Sequence, residues 1–261
     1  MMDINDLRFT YNKKPVLDGV TFNIKQGEIL GILGMNGCGK TTLLKNLNKN
    51  LEPETGTILL EDEDLEKMTK RAIAQKVAVV PQGNEIKFAF TVEDIVSMGR
   101  IPFLSTFSGE SSEDVRLIDE AIEMAGLQDY RKRFINTMSG GERQRVIIAR
   151  ALAQTPEIIL MDEPTLHLDI NMQFEVLDLI YRLSREKGLT VVIVSHDLPM
   201  VARYCDRIIM LKDRKIFASG VPEDILTSEN IRDVFKVDGE LSVDSKTGKR
   251  TVILHGCIAD R

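Results

Sequence analysis

Residues 28–44 read EILGILGMNGCGKTTLL, and this stretch decides the fold. Its first half is continuously apolar, which is typical of a parallel strand covered on both faces. Gly34, Gly39, Lys40 and Thr41 follow in the spacing of a phosphate-binding loop, directly after the strand and at the start of a helix. In such a loop backbone N–H groups surround phosphate oxygens, the lysine reaches the terminal phosphates, and the hydroxyl is offered to Mg²⁺. The stretch predicts a nucleoside triphosphate site, against the alternative of a tight turn without a ligand.

The length, net charge, apolar runs and cysteine content of the chain limit which kinds of function it can have. A chain of 261 residues suits one large domain, or one domain carrying a smaller insert. Its net charge of -6 repels polyanions, so we expect no nucleic-acid partner. The apolar runs are far shorter than the roughly 20 residues that span a bilayer, and the N-terminus lacks the pattern of a secretory signal. Three cysteines without metal-like spacing favour a reducing cytoplasm over a disulfide framework.

Strand patterns predict an α/β fold. The first residues alternate up to Tyr11, and a turn is predicted over residues 12–15. Val20, Phe22 and Ile24 then share one face of a second strand, which predicts an antiparallel pair. Two further continuous apolar runs, at residues 157–162 and 190–196, predict parallel strands buried on both faces.

Helix signals fall between and after these strands. Helices are predicted from about Lys40, from Ser139, and over residues 171–188, where a glycine ends the last one. Within residues 90–135 the segment SSEDVRLIDEAIEMAG (111–126) has a serine cap, a terminating glycine and helical apolar spacing at Val115, Ile118 and Ile122. We therefore expect a helical insert there. After residue 221 short helical pieces and a hairpin over residues 242–254 predict a small C-terminal appendage.

Two adjacent carboxylates stand near the end of the segment EIILMDEP (157–164). Asp162 and Glu163 stand at the carboxyl end of this buried strand, where open α/β sheets bind their ligands. Asp162 is suited to hold Mg²⁺ through its water shell, and Glu163 to polarise the water that attacks a γ-phosphate. The alternative is a solvated strand end without a ligand.

The segment MSGGERQ (138–144) carries a second anion site. Ser139 and Glu142 form the pattern of a capping box, which by itself only starts the helix that follows. A glycine-flanked helix N-terminus also binds anions, yet the chain already has one such start at Gly39. Two anion sites for one nucleotide predict that the second serves a neighbouring subunit.

Taken together, GMNGCGKT (34–41), MSGGE (138–142), LMDEP (160–164) and VSHD (194–197) resemble the phosphate loop, signature, acidic strand and switch histidine of ABC transporter ATPases. The resemblance spans nearly the whole chain. It implies a P-loop NTPase core, a mixed sheet with flanking helices, together with an N-terminal antiparallel β subdomain, a helical insert subdomain and a C-terminal appendage. In this single ABC ATPase domain over residues 1–261, the core takes residues 1–89 and 136–220, the insert 90–135 and the appendage 221–261.

The resemblance also implies the site residues. ATP would be bound by Tyr11, Gly34, Met35, Asn36, Gly37, Cys38, Gly39, Lys40, Thr41, Thr42, Ser139, Gly140, Gly141 and Glu142. Mg²⁺ would be held by Thr41, Gln82 and Asp162, and catalysis would rest on Lys40, Gln82, Glu163 and His196. Tyr11 would stack on adenine, and Asp169 would belong to a loop that crosses a dimer. Met138 and Glu142 depart from the usual leucine and glutamine of the signature, and His167 is expected to be a solvated loop residue.

Residues 97–108, SMGRIPFLSTFS, and residues 217–238 resemble importer subunits for ferric siderophores, haem and cobalamin, although Phe103 stands where histidine is commoner. The implied machine is a pair of identical subunits that closes over two ATP at the cytoplasmic face of the membrane. It drives a permease dimer, to which an extracytoplasmic binding protein delivers the cargo. The segment from Gln82 to Phe107 transmits the motion of the ATPase subunits to the permease. The alternative is a soluble ABC ATPase that acts on a protein assembly. An exporter motor is disfavoured because no membrane segment is fused to the chain.

Cys38 lies inside the phosphate loop beside Lys40. Its position near a helix N-terminus predicts a lowered thiol pKa and a reactive thiolate. The alternative is that loop packing shields the sulfur.

Overall fold

The computed structural model describes residues 1–83, 88–104 and 109–258. Its strands are β1 (Met2–Tyr11), β2 (Lys14–Ile24), β3 (Ile29–Gly34), β4 (Thr55–Leu60), β5 (Glu63–Asp64), β6 (Val77–Val80), β7 (Ile158–Asp162), β8 (Thr190–Ser195), β9 (Arg207–Lys212), β10 (Lys215–Gly220), β11 (Val237–Val243) and β12 (Arg250–Cys257). Its α-helices are α1 (Lys40–Leu47), α2 (Lys70–Lys76), α3 (Val92–Ser97), α4 (Ser112–Met124), α5 (Gly140–Ala153), α6 (Ile170–Lys187), α7 (Leu198–Tyr204), α8 (Pro222–Ile225) and α9 (Ser228–Phe235). Within the described residues, no helix has both the length and the apolar character needed to cross a membrane.

The chain divides into two compact units. The first joins Met1–Met68 to Thr190–Arg261, and the second is Thr69–Leu189. In the first unit β3 pairs in parallel with both β8 and β9, and β10 runs antiparallel to β9. All six residues of β3 are buried, as predicted for a strand covered on both faces. The sheet is therefore mixed, and the predicted fold class, a P-loop NTPase α/β core with an antiparallel β subdomain, is confirmed.

The antiparallel subdomain has the strand order β2-β1-β4-β5. Val20, Phe22 and Ile24 are buried, which confirms the predicted face of β2. The predicted turn over residues 12–15 was too long, because Tyr11 already pairs with Lys14. Asn12 and Lys13 alone make the turn, with φ of 48° and 66°. Two consecutive left-handed residues match the twist of a two-residue hairpin, and this allows the strands to pair up to the turn.

The second unit contains the parallel pair β6 and β7 together with helices α2 to α6. Helix α4 begins at the predicted serine cap, where Ser111 and Asp114 form a capping box, and Gly126 follows its end with a φ of 65°. Ile118 and Ile122 are buried as predicted, but Val115 is 43% exposed. That part of the buried face belongs to Asp114, which forms an ion pair with Arg100.

Helix α6 ends at Gly188 in the left-handed conformation, as predicted. In the C-terminal part of the first unit, β11 and β12 form the expected hairpin, but it pairs from Val237 with Cys257 to Val243 with Arg250 and is longer than predicted. Its loop is closed by the Asp244 carboxylate, which accepts the backbone N–H groups of residues 246 and 247.

Candidate functional site

The phosphate-binding loop lies in the first unit, between the end of β3 and the start of α1. Gly39 takes the N-cap position of α1 with a φ of 108°, and no side chain caps this helix. A Cβ atom on Gly39 would lie 2.8 Å from the carbonyl oxygen of Val16. Glycine is therefore required here both by backbone conformation and by space. The helix N-terminus is left to bind a ligand through its backbone.

Lys40 is the central cation of this loop. Its side chain is buried, and its Nζ donates to the carbonyl oxygens of Gly34 at 2.7 Å and Met35 at 3.1 Å. These two contacts hold the ammonium group within the curve of the loop. Met35 is exposed, as are Asn36 and Gly37, so this side of the loop faces solvent.

The two threonines that follow differ in exposure. Thr41 is half-buried, whereas Thr42 is buried within α1. Of the two, Thr41 therefore offers the more accessible hydroxyl.

The prediction for Cys38 was wrong. Burial raises the pKa of the Cys38 thiol above its ordinary value, and this effect outweighs the charge of Lys40 and the backbone N–H groups that favour the thiolate. The sulfur lies close to Gly34, where a Cβ atom would come within 2.6 Å of it. The alternative considered from the sequence, a sulfur shielded by loop packing, describes the structure better.

Two further predicted residues lie in the first unit. Tyr11 ends β1, is 43% exposed, and packs edge-on against Phe9 with ring centroids 4.8 Å apart. Its ring can offer surface to a flat ligand. His196 directly follows β8 and is exposed. The next residue, Asp197, caps α7 by accepting the N–H of Met200 at 3.0 Å, which fixes the backbone around the histidine.

The adjacent carboxylates lie in the second unit at the carboxyl end of β7. Asp162 is the last residue of the strand and Glu163 follows it, and both are buried. Glu163 has a φ of 49°, an uncommon conformation for a residue other than glycine. Its carbonyl oxygen accepts the N–H of Leu166 at 3.1 Å, so the turn after the strand holds this conformation. Such strain is concentrated at functional sites.

Gln82 lies at the same edge of the sheet. It is exposed and stands two residues after β6, which pairs in parallel with β7 so that Val80 is opposite Met161. Because parallel strands end at one edge, the structure brings Gln82 to the edge that carries the two carboxylates. Asp169 is exposed at the N-cap of α6, and His167 is exposed with a φ of 64°, as expected of a solvated loop residue.

The signature segment opens α5. Ser139 Oγ accepts the N–H of Glu142 at 3.3 Å, and the Glu142 carboxylate accepts the N–H of Ser139 at 2.7 Å. This confirms the predicted capping box. The N–H of Ser139, then its hydroxyl, and then the nearby guanidinium of Arg133 at 3.6 Å keep the pKa of Glu142 below its ordinary value. The carboxylate is therefore ionised at neutral pH.

The two glycines of the signature differ in their surroundings. Gly140 is exposed, but Gly141 is buried against α6. A Cβ atom on Gly141 would lie 2.4 Å from the sulfur of Met172. Gly141 therefore lets the start of α5 approach α6 closely.

Sequence reasoning missed Arg133 as a partner of the signature. It precedes Glu142 by nine residues, outside any helix, so no periodic pattern connects the two. It also missed the buried Arg100 and the close approach of Gly99 to α5, where a Cβ atom would lie 2.2 Å from the carbonyl oxygen of Arg150. A glycine beside an arginine in an apolar segment was the available signal.

Each of the predicted Mg²⁺ ligands carries a donor that suits this ion. Thr41 offers a hydroxyl, Gln82 an amide oxygen and Asp162 a carboxylate, and all are hard oxygen donors. Mg²⁺ commonly binds one or two carboxylates together with substrate phosphates. The residues present therefore fit this ion, with Thr41 in the first unit and the other two at the sheet edge of the second.

Comparison with known proteins identifies the family. Residues 17–166 match the ABC transporter family. The petrobactin import ATP-binding protein FpuD of Bacillus anthracis is 37% identical over 98% of this chain and 93% of its own length. The iron(3+)-hydroxamate import ATP-binding protein FhuC of Bacillus subtilis is 36% identical over 98% of this chain and 96% of its own.

Solved structures agree with this. A metal-chelate type ABC transporter in an inward-facing conformation matches with a TM-score of 0.86, at 31% identity, over 97% of both chains. A dimeric ATP-binding cassette in a post-hydrolysis state, bound to ADP and Pi, matches with a TM-score of 0.72, at 31% identity, over 85% of this chain and 99% of that one. This chain belongs to the ABC transporter family and is one of its ATP-binding cassettes.

Proposed function

We propose that this chain is the ATP-hydrolysing subunit of an importer for an iron chelate, haem or cobalamin. The observation that carries the proposal is its likeness, over nearly its whole length, to import ATP-binding proteins for petrobactin and ferric hydroxamate. Two copies bind ATP between them and drive a membrane permease. The subunit then works at the cytoplasmic face of the membrane, and an extracytoplasmic binding protein delivers the cargo to the permease.

The chemistry assigned to the site is hydrolysis of the terminal phosphate of ATP. The oxygen of a water molecule attacks the γ-phosphorus, the bond from that phosphorus to the bridging oxygen breaks, and ADP and phosphate leave. Lys40 and the backbone of the phosphate loop stabilise the negative charge, and Tyr11 stacks on the adenine. Glu163 orients the attacking water and accepts its proton, while His196 contacts the γ-phosphate. Mg²⁺ neutralises phosphate charge when bound to Thr41, Gln82 and Asp162.

The second half of each site comes from the partner copy. Residues 139–142 of one subunit face the nucleotide held by the phosphate loop of the other. Two helix starts support this shared site. Both α1 and α5 begin with glycine-rich backbone suited to anions, but the described chain has one phosphate loop, so the start of α5 is available to the nucleotide of the partner. We also keep the domain assignment within this proposal, with residues 90–135 as the helical insert and residues 221–261 as the appendage.

Two substitutions test the proposal. Lys40→Ala removes the cation of the loop, so we expect ATP turnover to be lost. Glu163→Gln keeps the shape but removes the base, so ATP should bind and hold a closed dimer. The measurement is the size of the Glu163→Gln protein in solution with ATP and Mg²⁺, with Lys40→Ala as the control that stays monomeric. A Glu163→Gln protein that remains monomeric at all concentrations would contradict the closure of two copies over ATP.

A further inference from the structure

Residues 98–104 form a short turn after α3, which we call the 98–104 turn. It begins as a 3-10 helix over Met98–Arg100 and closes when the N–H groups of Phe103 and Leu104 donate to the carbonyl oxygen of Arg100 at 2.8 and 3.3 Å. Ile101 at its tip is 61% exposed. The turn therefore presents an apolar tip to solvent on a compact, hydrogen-bonded backbone.

The inner side of the turn is fixed to α5. Gly99 lies so close to this helix that a Cβ atom would be 2.2 Å from the carbonyl oxygen of Arg150. Arg100 is buried, donates to the carbonyl oxygen of Ala153 at 2.7 Å, and pairs with Asp114 at 2.9 Å. These contacts fasten the turn to the end of the helix whose other end carries the signature.

The outer side of the turn is held by α2. Arg71 donates through Nε to the carbonyl oxygen of Pro102 at 2.8 Å and through Nη2 to that of Leu104, also at 2.8 Å. Gln75, one helical turn further on, donates to Pro102 as well, at 3.0 Å. The last carbonyl groups of a helical turn lack partners within it, and the fixed fork of a guanidinium suits them. Two side chains of α2 thus cap the end of the 98–104 turn.

Helix α2 continues directly into β6, without a loop between them. Val77 is both the C-cap of α2 and the first residue of β6, and its N–H donates to the carbonyl oxygen of Ile73. Gln82 stands two residues beyond the end of β6. From Arg71 to Gln82 the chain therefore consists of one helix, one strand and a proline. A displacement of Arg71 can reach Gln82 along this ordered backbone.

We infer that Arg71, assisted by Gln75, is a positioning residue that links the 98–104 turn to Gln82 through α2 and β6. This rests on the proposed function, in which a permease presses on the turn. The contact at Ile101 shifts the carbonyl groups of Pro102 and Leu104, and Arg71 carries the shift to α2. Gln82 then changes its position relative to the carboxylate edge of β7, which makes hydrolysis depend on the permease.

Arg71 is placed to transmit a displacement, but it contributes little to the stability of the fold. Arg71 is exposed, and its hydrogen bonds compete with water, so each contributes little to the free energy of folding. The buried contacts of Gly99 and Arg100 hold the turn without it. Removing Arg71 should therefore leave the subunit folded and able to hydrolyse ATP alone.

The test uses Arg71→Ala, Arg71→Lys and, as a matched control, Arg116→Ala, which removes an exposed arginine of α4 that pairs with Glu113 and Glu120. Each subunit is measured alone and in vesicles with the permease that co-purifies with the tagged wild-type subunit. For Arg71→Ala we expect unchanged basal ATPase and unchanged permease binding, but an about tenfold loss of permease-stimulated hydrolysis. Arg71→Lys should recover part of the loss, and Arg116→Ala should behave as wild type.

Amide hydrogen exchange gives a readout that needs no permease. In the isolated Arg71→Ala subunit the amides of Phe103 and Leu104 should exchange faster, and those of residues 77–80 and of Gln82 should follow, whereas Arg116→Ala should change neither. Permease-stimulated hydrolysis at the wild-type level in Arg71→Ala overturns the inference and leaves the proposed function intact. An equal loss of basal and stimulated activity also overturns it, since the role would then be structural. A wild-type subunit that assembles with no permease overturns the proposed function, and this inference with it.

Discussion

Asp114→Asn is the sharpest single test of how the helical part of the second unit is held. Asp114 is buried, accepts from Ser111 at the cap of α4, and pairs with the buried Arg100 at 2.9 Å. Asparagine keeps the shape and part of the hydrogen bonding but removes the charge. Arg100 then retains the carbonyl oxygen of Ala153 and the ring of Phe103, which lies 3.9 Å from its guanidinium carbon.

The magnitude follows from the titration of Asp114. Hydrogen bonds from Ser111, followed by that from Arg100, lower the pKa of this carboxyl from 3.8 to about 2. A difference of this size between the folded and unfolded states corresponds to about 2 kcal/mol of stability. Stripping one partner from a buried pair costs about 3–5 kcal/mol when nothing replaces it, so the amide should keep the loss near the lower figure. For a chain of this length the melting temperature should fall by roughly 5 °C.

The stability contribution of Asp114 depends on pH, and the direction of this dependence follows from its lowered pKa. Because the folded pKa is depressed, the contribution of Asp114 is fully present above the unfolded pKa, near 4, and is lost as the pH falls toward about 2. The difference in melting temperature between wild type and Asp114→Asn should be constant from neutral pH to about pH 5 and shrink below about pH 4. Asp119→Asn on the same helix removes one half of an exposed pair with Arg131 and should change the melting temperature little. Equal small effects of both substitutions at neutral pH would refute the reasoning.

Two further outcomes test the local geometry. Because burial raises the pKa of Cys38, alkylation at neutral pH should modify it more slowly than the exposed Cys257, as peptide mapping after brief labelling would measure, and faster labelling of Cys38 would contradict the shielding. Gly99→Ala places a methyl group against the backbone at Arg150 and should destabilise the protein by about 1–3 kcal/mol in thermal unfolding, whereas Gly109→Ala, which has open space, should not.

Local patterns predicted much of this molecule because their physics acts over a few residues. The caps at Ser111 and Ser139 are four-residue patterns, and each forms a reciprocal capping box in the structure. Gly188 ends α6 in the conformation that glycine adopts most easily. The burial of β3 follows from its continuous apolar run alone. The phosphate loop belongs to the same class, since a strand, a glycine loop and a helix follow one another without interruption.

Contacts between distant segments were beyond such patterns. Arg71 meets the 98–104 turn about thirty residues further on, and no periodicity connects a helix face with those carbonyl groups. Val115 fits the apolar spacing of α4 yet is exposed, because an ion pair takes its place on the buried face. For Cys38, both nearby charge and burial act on the thiol, and the sequence contains no measure of burial. The outcome was set by packing that only the folded chain defines.

The signature raises the question of how one serine can both cap a helix and bind a phosphate. Ser139 Oγ accepts the N–H of Glu142, and its hydroxyl also donates to the Glu142 carboxylate, which helps to lower the pKa of that carboxyl. Under the proposed function the hydroxyl hydrogen turns from the Glu142 carboxylate to a phosphate oxygen of the partner's nucleotide, while the two cap bonds donated by backbone N–H groups are kept. Glu142 brings a negative charge close to the same anion, and Arg133 is the nearby cation that offsets it. A glutamine at this position would need no such cation, which gives a physical reason for finding Arg133 beside a signature that ends in glutamate.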